Sequence, residues 1–222
     1  MDGYMEEGLQ MLRSFLGVLG CLGLFTVYGE DVSAAEKLRV SVPRNAPEII
    51  SDYRSWMGAN GLRRPARHQG IDIAGPVGFA VHAAADGTVV EVDTGPCWGP
   101  TVVVDHGKGH DGKPLVAAYG HLGTTKVRTG DNVRRGDIIG HLDNSYRKFK
   151  CTAAVRHVHF QLGRKHRSGP KGTYWGHVRY LVDGKKGVNP HLYWAKGPGK
   201  VTCFQPGRTY PKGTLTYPAA CN

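Results

Sequence analysis

The sequence predicts a mainly β domain, an antiparallel sheet closed as a barrel or sandwich, with long loops and few helices. Three observations carry that expectation. The 222 residues include 32 Gly and 13 Pro, a load that disfavours helix interiors and suits short strands joined by tight turns. β-Branched runs recur between turn dipeptides such as Asp86-Gly87, Gly130-Asp131 and Gly136-Asp137. Helical periodicity is nearly absent after residue 66. An apolar content of 40% and a charged content of 21% exclude both a disordered chain and a multi-span membrane protein.

Taken in order, residues 1–34 read as a signal peptide. Arg13 precedes an apolar run from Phe15 to Phe25, too short for a bilayer, which needs about 18 or more residues, but suited to an h-region. Val27-Tyr28-Gly29 and Val32-Ser33-Ala34 both offer cleavage sites, and Val18-Leu19-Gly20-Cys21 resembles a lipobox whose apolar run continues past Cys21. Residues 35–66 read as a linker with a short helix from Pro47 to Met57. Residues 67–194 are the β domain, with strands expected at Val77–Val81, Thr88–Val92, Thr101–Val104, Leu115–Tyr119, within Val127–Gly140, at Val155–Leu162 and at Val178–Val182. Residues 195–222, rich in Gly, Pro and Lys without alternation, read as a loop-rich extension.

Export changes the meaning of the cysteines. Cys97, Cys151, Cys203 and Cys221 are an even number beyond the leader and suit two disulfides in an oxidising compartment. Of three pairings, Cys97–Cys151 and Cys203–Cys221 are favoured, since the last two bracket the Gly/Pro-rich tail. No C-x-x-C is present, so a cysteine zinc ribbon is unsupported. The net charge of +11 draws an exported protein to anionic cell-envelope polymers. The basic residues are scattered, with no basic helix and no aromatic RNA-binding motif, which argues against nucleic acid.

Three groups among the eleven histidines carry chemistry. In His68-Gln69-Gly70-Ile71-Asp72, imidazole and carboxylate are both zinc ligands, and a Gly between them lets the chain bend. In His157-Val158-His159, residues two apart on a strand share a face. His157, His159 and Gln161 then line one side, while Val158, Phe160 and Leu162 enter the core. Tyr119-Gly120-His121 ends a strand. Together the segments supply three metal ligands and two spare imidazoles, the makings of a catalytic zinc site. H-E-x-x-H, G-x-S-x-G and Walker A motifs are absent. Gly107 to Gly112 matches G-x-G-x-x-G, but no helix follows it. His82 and His106, at strand–turn positions, read as structural. His141 reads as a surface residue, and His110, His166, His177 and His191 as loop residues.

From Arg67 to Trp194 the ordered motifs resemble the lysostaphin/LytM-type zinc endopeptidases, which cleave peptidoglycan peptides. The resemblance rests on His68-x-x-x-Asp72-Ile73-Ala74, the Val81 to Val89 run, Asp105-His106-Gly107, Tyr119-Gly120-His121-Leu122, Val127 to Gly140, and His157-Val158-His159-Phe160. The cysteine pattern looks most like the secreted β-lytic/staphylolytic branch. The resemblance implies that His68, Asp72 and His159 bind Zn2+, and that His121 and His157 are the unligated catalytic histidines. It implies a secreted or periplasmic, monomeric metalloendopeptidase acting on peptidoglycan or another peptide substrate through a zinc-activated water. The rival expectation is an inactive protein of the same fold that binds the wall or activates amidases; such relatives lose metal ligands, and this chain keeps all three. A lipoyl-carrier reading of the Val127–Gly140 stretch lacks its lysine hairpin. Two departures stand out. Ala153-Ala154-Val155-Arg156 replaces the family's Ser/Thr-Gly-Pro, and the loop Asn144–Thr152 is strongly basic. A latent form would draw a further ligand from Asp52 or Glu48.

Overall fold

The computed structural model describes residues 38–166, Leu181 and 187–221. The signal-peptide and lipobox readings, His177 and most of the expected strand at Val178–Val182 lie outside the described residues. Ten strands form: β1 (Ile49–Ser51), β2 (Ile71–Ala74), β3 (Ala80–His82), β4 (Gly87–Gly95), β5 (Gly99–Lys108), β6 (Pro114–Gly120), β7 (Thr124–Thr125), β8 (Asn132–Val133), β9 (Ile138–His141) and β10 (His157–Gly163). Two 3-10 turns, Asn144–Lys148 and Pro190–Leu192, are the only helical elements among the described residues. The fold is mainly β and antiparallel, as the Gly/Pro load and β-branched runs predicted.

Seven strands pair in the order β1-β2-β10-β6-β5-β4-β8, and a smaller sheet has the order β3-β9-β7. The long β4–β5–β6 meander uses the β-branched runs, whose side chains fit a pleated, half-buried surface. One face of the large sheet packs Ile71, Ile73, Val102, Val104, Ala117, Tyr119, Val158, Phe160 and Leu162 into the main core, together with Val81 and Ile139 of the small sheet. The other face carries Val103, Val116, Ala118 and Trp98 in a second cluster under Leu181. The strand period of two therefore decides which residues of β2 and β10 enter the main core and which face away from it.

The expected helix at Pro47–Met57 is absent. Ile49 to Ser51 instead form β1, which pairs with β2 through Ile49↔Ile73 and Ser51↔Asp72. Two successive β-branched isoleucines favour a strand once an open sheet edge is available, and Arg54 adopts φ 63, which no helix accommodates. The tail also differs from a plain loop. Val201, Leu215, Tyr217 and Ala219 are core residues, Ala219 bridges to Val81 and Leu215 to Trp194, and the segment belongs to the same compact unit as the other described residues. Its scattered apolar residues pack between turns and not along a strand, so alternation gives no sign of them. Cys97 pairs with Cys151 and Cys203 with Cys221.

Candidate metal centre and its cleft

Antiparallel register places the metal-ligand candidates side by side. His159 lies directly opposite Asp72 across the β10–β2 ladder and opposite Gly120 across the β10–β6 ladder, so the neighbour of Gly120, His121, arrives at the same point. Ile71 and Ile73 turn into the core, which forces Asp72 onto the opposite face with His157, His159 and Gln161. The alternation read from the sequence of β10 is the one the strand adopts.

Three atoms converge there. His68 Nε2 lies 3.0 Å from His159 Nδ1 and 3.1 Å from Asp72 Oδ1, and His159 Nδ1 lies 2.7 Å from Asp72 Oδ1. The triangle is compact enough for one ion with metal–ligand distances of about 2.0–2.2 Å. The outer atoms of the same residues are fixed as metal-ligating groups are. His68 Nδ1–H donates to the carbonyl of Asp52 at 3.0 Å, and His159 Nε2–H donates to Gln161 Oε1 at 3.1 Å. Arg64 donates from its guanidinium to Asp72 Oδ2 at 2.5 Å, leaving Oδ1 for the centre. All three residues are buried. The donor set of two imidazoles and a carboxylate with filled outer contacts fits zinc.

The electrostatics favour the cation-binding form of Asp72 and His159. Burial pushes the Asp72 carboxyl upward, but the charges of His157 and His68 and the close ring nitrogens of His159 and His68 outweigh it. They hold Asp72 well below the usual carboxylate range. Burial lowers His159 despite its bond to Asp72, which favours the neutral ring.

His121 and His157 are built alike. The carbonyl of Trp98 accepts both the backbone N–H and the Nδ1–H of His121, at 3.1 and 2.9 Å, and the carbonyl of Val155 accepts Nδ1–H of His157 at 2.8 Å. Each Nε2 is thereby left to the cleft. His157 Nε2 stands 3.5 Å from Asp72 Oδ1, and the two rings lie 4.8 Å apart edge to face. Burial, then the charges of His157 and His159, hold His121 well below the ordinary imidazole value. His121 also sits at φ 64, a strained conformation for a residue with a Cβ and of a kind that clusters at functional sites.

All five residues singled out in the sequence line one cleft of about 380 Å³. Two contributors, Trp98 and Arg64, went unseen in the sequence, and the Cys97–Cys151 pairing was read there without its place in the cleft. Trp98 packs its ring 5.4 Å from His121 and 4.7 Å from His159, and the Cys97–Cys151 disulfide beside it ties the β4–β5 turn to the far wall of the cleft. Arg64 comes from the segment read as linker. Asp52 binds His191 Nε2–H through Oδ1 at 2.6 Å, while Trp194 Nε1–H donates to the other ring nitrogen at 3.0 Å. Its carboxylate is thus committed away from the centre, and only its backbone carbonyl supports His68. Glu48 lines a neighbouring groove. The loop histidine His191 is buried, and a chain neighbour gives no hint of a partner 139 positions away.

Residues 66–170 match Peptidase family M23. A Vibrio cholerae protein named peptidoglycan DD-endopeptidase ShyA is 34% identical over 100 residues, 45% of this chain and 21% of that protein. The lipoprotein NlpD/LppB homolog of Pseudomonas aeruginosa is 37% identical over 99 residues, 44% of this chain and 30% of its own length. The match therefore spans less than a third of either relative. Among solved structures, the catalytic domain of the antimicrobial peptidase lysostaphin from Staphylococcus simulans aligns at 26% identity over 53% of this chain and 78% of that one, with a TM-score of 0.39.

Proposed function

Because the chain carries a peptidase family M23 domain, we propose that it is an exported zinc metalloendopeptidase that hydrolyses peptide bonds of bacterial cell-wall peptidoglycan. The observation that carries the reading is the triangle of His68 Nε2, Asp72 Oδ1 and His159 Nδ1. In this reading residues 67–194 are the peptidase domain, 1–34 the signal peptide and 195–222 its disulfide-held extension. The protein acts as a monomer. The two disulfides support an oxidising, extracytoplasmic compartment. Among the described residues no helix is long and apolar enough to cross a membrane.

His68, Asp72 and His159 would hold the ion, which when bound supplies Lewis-acid polarisation of the scissile carbonyl and acidifies water. The chain's own residues do the rest. His121 is kept neutral by burial, and its Nδ1–H is locked on Trp98, so Nε2 offers a lone pair to a proton at the cleft floor. His157 has the same orientation, closer to Asp72. The imidazole that receives the proton then bears the charge that steadies an oxyanion or protonates the leaving amine. Trp98 and the disulfide wall exclude water and hold His121 in place. An inactive wall-binding protein of the same fold has no need for three converging ligands with two oriented imidazoles beside them.

The test is zinc content per purified mature chain together with peptidoglycan turbidity, wild type against His159→Ala. About one zinc per chain, lost along with lysis in the variant, is the expected result. A wild type that binds no zinc sinks the site assignment.

A further inference from the structure

A second concavity, of about 560 Å³, opens beside the end of β5 remote from the cleft. β5 runs from Gly99 beside the metal centre to Lys108, so the two sites are roughly 30 Å apart at about 3.3 Å per residue. Lys108, Arg135, Arg208 and Lys212 line this concavity with the rings of Phe204 and Tyr210. Most of the lining comes from the tail closed by Cys203–Cys221.

The wall is built, not a scatter of surface lysines. Arg135 donates to the carbonyls of Ala84 and Thr214 at 2.8 and 2.7 Å and lies over the Tyr210 ring at 4.9 Å. It thus pins the tail to the domain and leaves a fixed positive charge in the floor. The carboxylate lining the site is Asp86, whose Oδ1 already accepts the backbone N–H of Arg135 at 2.8 Å. No carboxylate pairs with Lys108, Arg208 or Lys212 among the described residues. The Pro211–Thr214 turn, with Gly213 at φ 70, is held against the domain by the His110 N–H, which donates to the Gly213 carbonyl at 2.9 Å.

We propose that this concavity binds the phosphate groups of an anionic cell-envelope polymer and tethers the protein to the wall while the distant cleft acts on peptide. The choice of polymer rests on the wall-directed reading above; the anion site rests on its own residues.

The test titrates the full mature chain with poly(glycerol phosphate) and, separately, with phosphatidylglycerol vesicles. It compares wild type, the double variant Arg208→Ala/Lys212→Ala, and the cleft-side double variant Arg63→Ala/Arg67→Ala. Expected are polymer binding that weakens steeply with salt, at least tenfold weaker binding in the tail variant at unchanged melting temperature, and wild-type binding in the cleft-side variant. Equal binding by the tail variant, or none by wild type, overturns the proposal. Vesicles bound more tightly than polymer overturn it as well, by assigning the surface to lipid. Polymer binding needs no hydrolysis, so a chain that binds polymer yet cleaves no wall peptide refutes the peptidase reading and leaves this one standing.

Discussion

Arg64 holds the outer oxygen of Asp72, donating to Oδ2 at 2.5 Å while Oδ1 faces His68 and His159. The same guanidinium reaches Ser51 Oγ at 3.3 Å, and Ser51 pairs with Asp72 across the β1–β2 ladder. The segment ahead of His68 therefore supports the candidate metal site through Arg64 and Ser51.

Arg64→Ala is expected to weaken zinc binding by about 10- to 100-fold, the usual cost of removing a group that orients a ligand. Arg64→Lys should recover part of the loss, since it restores the charge without the forked geometry. Competition with a chromogenic chelator measures both, with Arg63→Ala as the control for lost surface charge. Zinc affinity unchanged in Arg64→Ala would show that Asp72 is oriented by its strand alone.

The group that converges at the candidate site was legible in the sequence because each member lies in a local pattern. His157 and His159 share a face by strand period, and His68 and Asp72 stand within one short motif. Arg64, Trp98 and His191 were not legible, because each acts through a partner set by tertiary structure: Asp72, the His121 ring and Asp52. The misread helix at Pro47–Met57 has the same origin. Its residues form a strand only because the edge of β2 is there to receive them, and no local propensity records an edge.

His121→Ala should cut peptide hydrolysis by roughly 10²- to 10⁴-fold, the range for losing a positioned proton-transfer group, while zinc content stays at the wild-type level. The separation follows from geometry: His121 is anchored on Trp98 and lies outside the triangle of converging atoms. Steady-state hydrolysis of a soluble wall peptide, with metal analysis of the same sample, measures both quantities. Zinc lost together with activity would place His121 among the ligands.

His106 gives the fold an acid sensitivity. Burial lowers it to about 4 against its bond to the Asp86 carbonyl. Nδ1–H donates to that carbonyl at 2.9 Å, and Nε2 lies 2.9 Å from the Tyr119 hydroxyl, which itself accepts the Ala84 N–H at 2.9 Å. The folded pKa is below the unfolded value of 6.5, so between 6.5 and 4 the unfolded chain takes up the proton and the folded one does not. This contribution is complete above pH 6.5 and is lost as pH falls toward 4. At ~1.4 kcal/mol per pH unit, lowering the pH from 6.5 to 5 should cost about 2 kcal/mol through this residue. Urea midpoints at pH 7 and pH 5 should therefore differ less in His106→Asn than in wild type; equal differences would remove His106 from the account.

Gly70 was expected to let the chain bend between His68 and Asp72, but the structure gives it a different task. Its φ is not among the left-handed values, and a Cβ placed there would meet the Phe160 carbonyl oxygen at 2.3 Å and Gln161 Cα at 3.1 Å. These are backbone atoms of β10, flanking the strand position that presents His159, and backbone does not swing aside as a side chain does. Gly70→Ala should force β10 and the His68 loop apart. The expected cost is about 1–3 kcal/mol of stability, as for other overpacked sites, with zinc affinity falling because His68 and His159 would no longer converge. Gly78→Ala is the informative comparison. Gly78 has φ 79 but nothing within 4 Å of its would-be Cβ, so that variant should lose stability from backbone strain alone and keep its zinc. Chemical denaturation and chelator competition on the two variants separate close approach from conformational freedom. Full zinc affinity in Gly70→Ala would mean that β10 and the His68 loop absorb the added methyl without parting His68, Asp72 and His159.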